Sequence, residues 1–349
     1  MNGRANIAFL QKVLSPLSPL YQGVTALRAL LYDKKVLPSK KLPKPVLSVG
    51  NLTTGGTGKT PLVIEIALRL SAEGLRPVVL SRGYKGNADS PVNFVSDTDR
   101  VLMDAAEAGD EPVLMARKLP GIPVLTARQR YRGGMAALER FGVDLFVLDD
   151  GFQHLPLQRD VNILLVDGVT PFGAERCLPG GDLREGPSAL RRADMIILTG
   201  HPIEKWRKRI EGLAPRADLH NVRFQATGVV DLSSGKELPL TFLEGKKLFA
   251  FAGIARPERF YHALEHAGVV LQGRQSFRDH YLFRPSDLYA LIEKATEQGA
   301  EGLITTEKDA VRIASLPQEL PFYTLQLGIT MDNMDNFLRE IRQRIQNPT

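Results

Sequence analysis

The chain has 349 residues, of which 43% are hydrophobic and 24% charged, with a formal net charge of +6. That length is enough for two domains with cores of their own, and the composition excludes a largely disordered chain. The single cysteine, Cys177, excludes an intramolecular disulfide and a cysteine zinc cluster, and it fits a reducing compartment.

The charge is unevenly placed. Residues 1–45 carry eight basic side chains (Arg4, Lys12, Arg28, Lys34, Lys35, Lys40, Lys41 and Lys44) against Asp33, a net of +7, so the other 304 residues together are −1. A balanced body argues against a broad nucleic-acid surface, and no nucleic-acid partner is expected. Within the arm, Leu20, Tyr21, Val24, Leu27, Leu30 and Leu31 recur at helical spacing and make one apolar face. The longest uncharged run, Val13 to Leu27, has 15 residues and contains Pro16 and Pro19, whereas a membrane span needs about 20. No small-residue cleavage site follows, so a signal peptide fits poorly. Two readings remain: an interfacial helix whose cationic flanks meet anionic headgroups, and a helix that covers the edge of the domain.

From Pro45 onward, short β-branched runs alternate with helical patterns. The runs are Val46–Gly50, Pro77–Ser81, Ile122–Leu125, Asp144–Leu148, Val161–Val166 and Met195–Thr199; Leu62–Ser71 and Arg128–Phe141 show a helical apolar period. This rhythm predicts α/β architecture with a mainly parallel sheet sandwiched by helices, whose ligands bind at the carboxyl ends of strands. Around residues 221–241 the rhythm changes. Val222–Gln225 and Val229–Leu232 are strand-like and Ser233-Ser234-Gly235 is a turn signal, which predicts a small hairpin between two domains. A second α/β rhythm follows, with strands at Lys247–Ala252, Val269–Gln272, Gly302–Thr305 and Phe322–Leu327 and a last helix from about Asp332 to Ile345. The expected layout is a membrane-interacting arm (1–45), a nucleotide-binding domain (46–220), a two-stranded linker (221–241) and a smaller α/β domain closing over the site (242–349).

The strongest local signal runs from Gly50 through Asn51, Leu52, Thr53, Thr54, Gly55, Gly56, Thr57 and Gly58 to Lys59 and Thr60. A buried strand precedes it and an apolar helix follows, the context a phosphate loop requires. Backbone N–H groups from Thr53 to Thr60 would converge on phosphate oxygens at a helix N-terminus. Lys59 would reach the β- and γ-phosphates, and the Thr60 hydroxyl would ligate Mg²⁺. Pro61, just inside the helix, has no N–H to leave unpaired. The consensus has glycine where this chain has Thr53. A phosphate-loop site takes a second metal anchor from an Asp ending a neighbouring apolar strand. Asp149 and Asp150, after Leu145-Phe146-Val147-Leu148, supply that pair, one carboxylate for the metal and the other for its neighbours.

Several further segments narrow the acceptor. Leu148-Asp149-Asp150-Gly151-Phe152-Gln153-His154 followed by Arg159-Asp160, the run from Ser48 to Pro61, Ser81-Arg82-Gly83-Tyr84 and Gly109-Asp110-Glu111-Pro112 lie in order along the chain. Leu183-Arg184-Glu185, Phe251-Ala252-Gly253-Ile254, Asp279-His280 and Thr306-Glu307-Lys308-Asp309 continue the series. The ordered set resembles the tetraacyldisaccharide 4′-kinases of lipid A biosynthesis, a family that also departs from the usual phosphate-loop glycine at the position of Thr53. The segment Pro179-Gly180-Gly181-Asp182 departs from the proline-bearing version of that family.

The resemblance implies transfer of the γ-phosphoryl group of ATP to the 4′-hydroxyl of a tetraacylated disaccharide 1-phosphate, forming lipid IVA on the cytoplasmic face of the inner membrane. It implies two α/β/α domains joined by a two-stranded linker. It also implies that Asp110 acts as base with support from His280, a pair 170 residues apart and expected in different domains, so that it would assemble on domain closure. Lys59 and Asp150 join them in the expected catalytic set, with Thr60 and Asp149 at the metal. Arg184 and Glu185 are expected on the nucleotide or substrate side. Asn51, Gln153 and His154 are expected at the sugar or its 1-phosphate, and any of Arg128, Arg130 and Arg132 could meet phosphate. Two other readings stay open. A phosphotransferase or ligase for a soluble metabolite would need no greasy cationic arm, and a membrane-associated switch ATPase acting on a protein partner would need no Asp110–His280 pair. No obligate protein partner is evident in the sequence.

Overall fold

The structure, a computed structural model, describes residues 11–346 apart from 12 and 85; Arg4 and Lys12 of the basic arm lie outside the described residues. In chain order the strands are β1 (Val46–Asn51), β2 (Pro77–Ser81), β3 (Val92–Ser96), β4 (Val124–Ala127), β5 (Leu145–Asp149), β6 (Val161–Asp167), β7 (Met195–Thr199), β8 (Asp218–Asp231), β9 (Glu237–Pro239), β10 (Lys247–Ala252), β11 (Val270–Ser276), β12 (Gly302–Thr306) and β13 (Phe322–Met331). The chain divides into two compact units. One comprises residues up to Arg82, Ile122–Arg223 and the chain from Thr330 onward; the other comprises Gly83–Gly121 and Phe224–Ile329.

In the first unit the strand order is β7-β6-β1-β5-β2-β4, all parallel, and the start of β8 continues the sheet beside β7. Every residue of β1, β2, β4, β5 and β7 is buried. These strands are mostly apolar on both sides because helices cover both faces. β1 lies between β6 and β5, and the chain leaves it toward β2 on one side and reaches β6 on the other. That reversal of strand order opens a crevice at the carboxyl end of β1. Val49 pairs with Asp149, so the loop after β1 and the end of β5 emerge side by side.

The last helix, Met334–Gln346, belongs to this unit and not to the second domain in which sequence order places it. Its buried stripe of Phe337, Leu338 and Ile341 packs against the helix Lys59–Ala72 and β6, and Glu340 meets His220 at 2.9 Å.

In the second unit β11, β10, β12 and β13 are parallel, with β8 next to β13 and β9 antiparallel to β8. The period of two in β10 splits its side chains between two cores. Leu248, Ala250 and Ala252 face the helix Pro257–His266, while Phe249 and Phe251 face the helix Pro285–Glu297. The two strand-like runs expected at 222–225 and 229–232 are one 14-residue strand, because Ala226-Thr227-Gly228 carries no turn; the hairpin partner is β9.

The segment 83–121 differs from the expected layout in the same way as the last helix. Sequence order assigns it to the nucleotide-binding domain, yet it packs in the second unit. The reason is a set of charged clamps on its helix Asp110–Lys118. Arg312 reaches Asp110 at 3.2 Å, Lys308 reaches Glu111 at 3.0 Å, and Lys118 pairs with Glu307.

Candidate active site

The phosphate loop leaves β1 and enters the helix Lys59–Ala72 through Gly58, whose φ of +88° is left-handed; Gly55 has φ +119°. Both positions require glycine. A side chain added at Gly55 or Gly56 would meet no atom within 4 Å, so the loop presents open space along its glycine face. One strap holds the loop from outside: Thr54 N–H donates to Asp182 O at 2.7 Å, Arg184 N–H to Leu52 O at 2.7 Å, and Thr53 bridges Leu183. Lys59 Nζ donates to Asn51 Oδ1 at 3.2 Å and lies 3.4 Å from Asp150 Oδ1. Asn51, expected at the substrate, is fully buried; its amide also donates to Thr57 Oγ1 at 3.0 Å, so it braces the loop and its lysine.

The two adjacent aspartates face different partners. Asp149 ends β5 and accepts from the Ser81 hydroxyl at 3.0 Å. Asp150 adopts a left-handed φ of +51°, which turns its carboxylate to Lys59 and to Arg184 Nη1 at 2.7 Å. Burial pushes the Asp150 carboxyl upward, but the charges of Lys59 and Arg184 outweigh it and hold the group below the ordinary carboxylate range. Asp149 and the buried Thr60 offer hard oxygen donors, the kind Mg²⁺ takes. Among the described residues no group of three or more His, Cys, Asp or Glu could hold a metal alone. A magnesium ion here would complete its shell with nucleotide oxygens and water, as this ion usually does.

Beside this cradle the side chains are strongly cationic. Of the three arginines after β4, Arg128 and Arg132 are exposed and Arg130 is buried. Burial lowers the Arg130 guanidinium to about 10 against the raising charges of Asp149 and Asp150. His154 is half-buried; burial, then Arg130, Arg159, Arg28 and Arg82, depress it to about 4, so its imidazole is neutral at pH 7. Gln153 Nε2 donates to Asn51 O at 3.0 Å, which holds this loop against β1. Glu185, expected at the ligand, is instead buried in a two-pronged bridge to Arg192 at 2.7 and 2.8 Å, and so fastens the strap from below.

Asp110 and His280 both lie in the second unit, so the pair needs no closure of two domains to form. His280 Nδ1 is 2.8 Å from Asp110 Oδ2. Burial pushes the Asp110 carboxyl upward, but the His280 hydrogen bond and the charges of Lys308 and Arg312 hold it below the ordinary range. Asp110 is therefore an anion and Nδ1–H donates to it. His280 has φ +61°, a left-handed backbone uncommon outside glycine. Sequence reasoning missed Arg312. A lone arginine three residues after Asp309 carries no pattern, and only the packing shows that its side chain is 1% exposed and 3.2 Å from Asp110.

The helix Ser18–Asp33 docks on the first unit through one narrow face. Ser18 accepts from Gly180 N–H at 2.9 Å, and Tyr21 packs on the cluster containing Leu52 and Phe152. Its other face leaves Leu20, Val24, Leu27 and Leu30 between 50% and 69% exposed. Among the described residues no helix is long and apolar enough to cross a membrane.

Known proteins resemble this chain over nearly its whole length. Residues 10–346 match the model of the family described as tetraacyldisaccharide-1-P 4′-kinase. The tetraacyldisaccharide 4′-kinase of Desulfotalea psychrophila is 43% identical over 322 residues, covering 90% of this chain and 92% of that protein. The one from Syntrophus aciditrophicus is 42% identical over 338 residues, covering 93% and 90%. Among solved structures, LpxK from Aquifex aeolicus in complex with ATP superposes with a TM-score of 0.78 at 32% identity, covering 96% of this chain and 99% of that one.

Proposed function

The chain belongs to the tetraacyldisaccharide 4′-kinase family, and from that premise we propose how its residues divide the work. It is an ATP-dependent kinase of lipid A biosynthesis that phosphorylates the 4′-hydroxyl of tetraacyldisaccharide 1-phosphate to give lipid IVA, and its substrate is a lipid. The observation that carries the assignment of roles is Lys59, poised by Asn51 and Asp150 in a loop whose glycine face is open. The amides from Thr53 to Thr60 bind the triphosphate, and Lys59 leaves Asp150 for the β- and γ-phosphates. Arg184, released with it, meets the same charge. Thr60 and Asp149 would hold Mg²⁺, which when bound supplies positive charge that neutralises the triphosphate. His154 and Gln153, in the cationic loop beside the cradle, take the sugar or its 1-phosphate.

In the transfer step the 4′-oxygen forms its bond to the γ-phosphorus while the bond to the β,γ-bridging oxygen breaks and ADP leaves. The hydroxyl proton passes to Asp110, and His280 donates to the carboxylate throughout. An anionic Asp110 suits this role, since phosphoryl transfer asks for the base late, when the hydroxyl has become acidic.

The exposed leucines of the helix Ser18–Asp33, with Arg28, Lys34 and Lys35 around them, support docking on the anionic inner-membrane surface where the acyl chains are anchored. Consumption of ATP supports the cytoplasmic side as the face of that surface. The test follows radiolabelled γ-phosphate in anionic vesicles carrying the tetraacyldisaccharide 1-phosphate. Label is expected on the lipid, and Leu20→Glu with Leu27→Glu is expected to lower that rate at least tenfold. Label found only in inorganic phosphate defeats the acceptor assignment; an unchanged rate in the double variant defeats the docking.

A further inference from the structure

The segment Thr306-Glu307-Lys308-Asp309 stands apart from the phosphate chemistry, yet it ends in one of the most deeply buried charge pairs of the second unit. Asp309 is fully buried and the Arg312 side chain is 1% exposed, with 3.2 Å between Arg312 Nη1 and Asp309 Oδ1. A buried pair of this kind is weak as a source of stability, because desolvation offsets its attraction. What it does offer is fixed direction, and its directions converge on His280 and Asp110.

We propose that Arg312 and Asp309 are positioning residues that lock the backbone of His280 and the carboxylate of Asp110 into one geometry. Arg312 Nε donates to Lys308 O at 3.0 Å and lies 3.2 Å from Asp110 Oδ2, the same oxygen that accepts from His280. Arg312 Nη1 donates to Gly253 O at 3.1 Å and Tyr281 O at 3.0 Å. Asp309 Oδ1 accepts from Gly253 N–H at 3.0 Å, and Gly253 O accepts in turn from His280 N–H at 3.0 Å. The pair thus grips both peptide groups of Gly253 and the carbonyl just after His280. A left-handed histidine persists only where its surroundings over-determine it, and these bonds are those surroundings. Gly253 makes the grip possible, since a Cβ there would lie 3.0 Å from Asp309 Oδ1 and 3.2 Å from Tyr281 Cβ. The planar fork of arginine serves several acceptors in fixed directions, which a lysine ammonium cannot reproduce.

The other charges facing the dyad are Lys308, 3.9 Å from Asp110 Oδ2 and 3.0 Å from Glu111, and Asp279, 3.7 Å from His280 Nε2. Lys308 approaches Asp110 as a point charge and Asp279 is beyond hydrogen-bond distance, so neither fixes the ring. The inference rests on the reading of Asp110 as base, and the experiment separates the two.

The chain has six histidines, so ¹⁵N-histidine labelling gives a tractable ring spectrum. At pH 8 the wild-type His280 ring is expected to hold its proton on Nδ1. Arg312→Lys is expected to average the two tautomers and lower kcat at least tenfold, with KM for ATP within twofold. Gly253→Ala, which presses on Asp309 Oδ1 and Tyr281 in the same turn but removes no charged side chain, is expected to do the same and decides the matter if Arg312→Lys fails to fold. A folded variant whose His280 ring is unchanged overturns the proposal, whatever its kcat. Separately, full turnover in Asp110→Asn would remove the base assignment while leaving the ring spectrum to judge the positioning.

Discussion

Asp150 in the first unit and Asp110 in the second both stay ionised against burial, but they are held in opposite ways. Asp150 is 30% exposed, and its partners Lys59 and Arg184 border a glycine loop with open space beside it. On the following loop, His154 has its pKa depressed by burial and then by Arg130, Arg159, Arg28 and Arg82, so cations exceed anions there. Asp110 is 5% exposed and its Oδ2 already has His280 and Arg312, while Lys308 is shared with Glu111 and Arg312 with Asp309. There every cation is already matched by a carboxylate. The first arrangement is short of negative charge and suits a polyanionic ligand; the second is complete and suits the handling of one proton.

The largest expected effect divides along that line. Lys59→Met removes a charge-assisted partner of the triphosphate and should weaken ATP binding at least ~100-fold, about 3 kcal/mol. Asp110→Asn should leave ATP affinity within about twofold and lower kcat by roughly three orders of magnitude, within the range for a lost general base. Calorimetric titration of ATP beside turnover on lipid checks both. A similar loss of ATP affinity in the two variants would break the contrast and move Asp110 to the nucleotide.

A smaller effect comes from burial of His154 and, after it, from the cationic surplus around the ring. His154 is depressed to about 4 in the folded protein from 6.5. Between those values the unfolded chain binds a proton that the folded chain refuses, so acid favours unfolding. The contribution of neutral His154 is fully present above about pH 6.5, falls as pH drops, and is exhausted below about pH 4. Because the ring is half-exposed, its size is of order 1–3 kcal/mol. Urea denaturation should show wild type losing more stability than His154→Gln across that window. Parallel curves would mean that the four arginines do not crowd the ring, and the first region would lose its claim to a charge surplus.

How much of this was legible beforehand follows the range of the interactions. The phosphate loop and the Asp149–Asp150 strand end are local patterns with local causes: a left-handed Gly58, a buried β1, an apolar β5. Alternating strands and helices likewise announced the parallel sheet, and β7 and β10 begin and end where their apolar runs do. The placement of 83–121 was not legible, because it depends on Arg312, Lys308 and Glu307 finding a helix nearly two hundred residues earlier. No periodicity records a contact of that span. Glu185 and Asn51 show the converse: motif position suggested ligand contact, and burial gives both of them internal partners.

The smallest effects sharpen the comparison best, because they touch one hydroxyl in each region. Thr306 caps the short helix Glu307–Ala310, accepting from Asp309 N–H at 3.1 Å and donating to Asp309 Oδ2 at 2.6 Å. Thr306→Val removes the cap and strands a buried carboxylate oxygen, so a loss of about 2 kcal/mol is expected. Thr54 is exposed, and its hydroxyl reaches Asp182 O at 3.3 Å while its own N–H keeps the 2.7 Å bond to the same oxygen. Thr54→Val should change stability by no more than about 0.5 kcal/mol, since water replaces the lost partner. Chemical denaturation of the two variants side by side measures the difference. Equal losses would mean that the phosphate loop is as tightly over-determined as the turn that holds His280, and then Lys59 could not leave Asp150 for a nucleotide at the low cost its role requires.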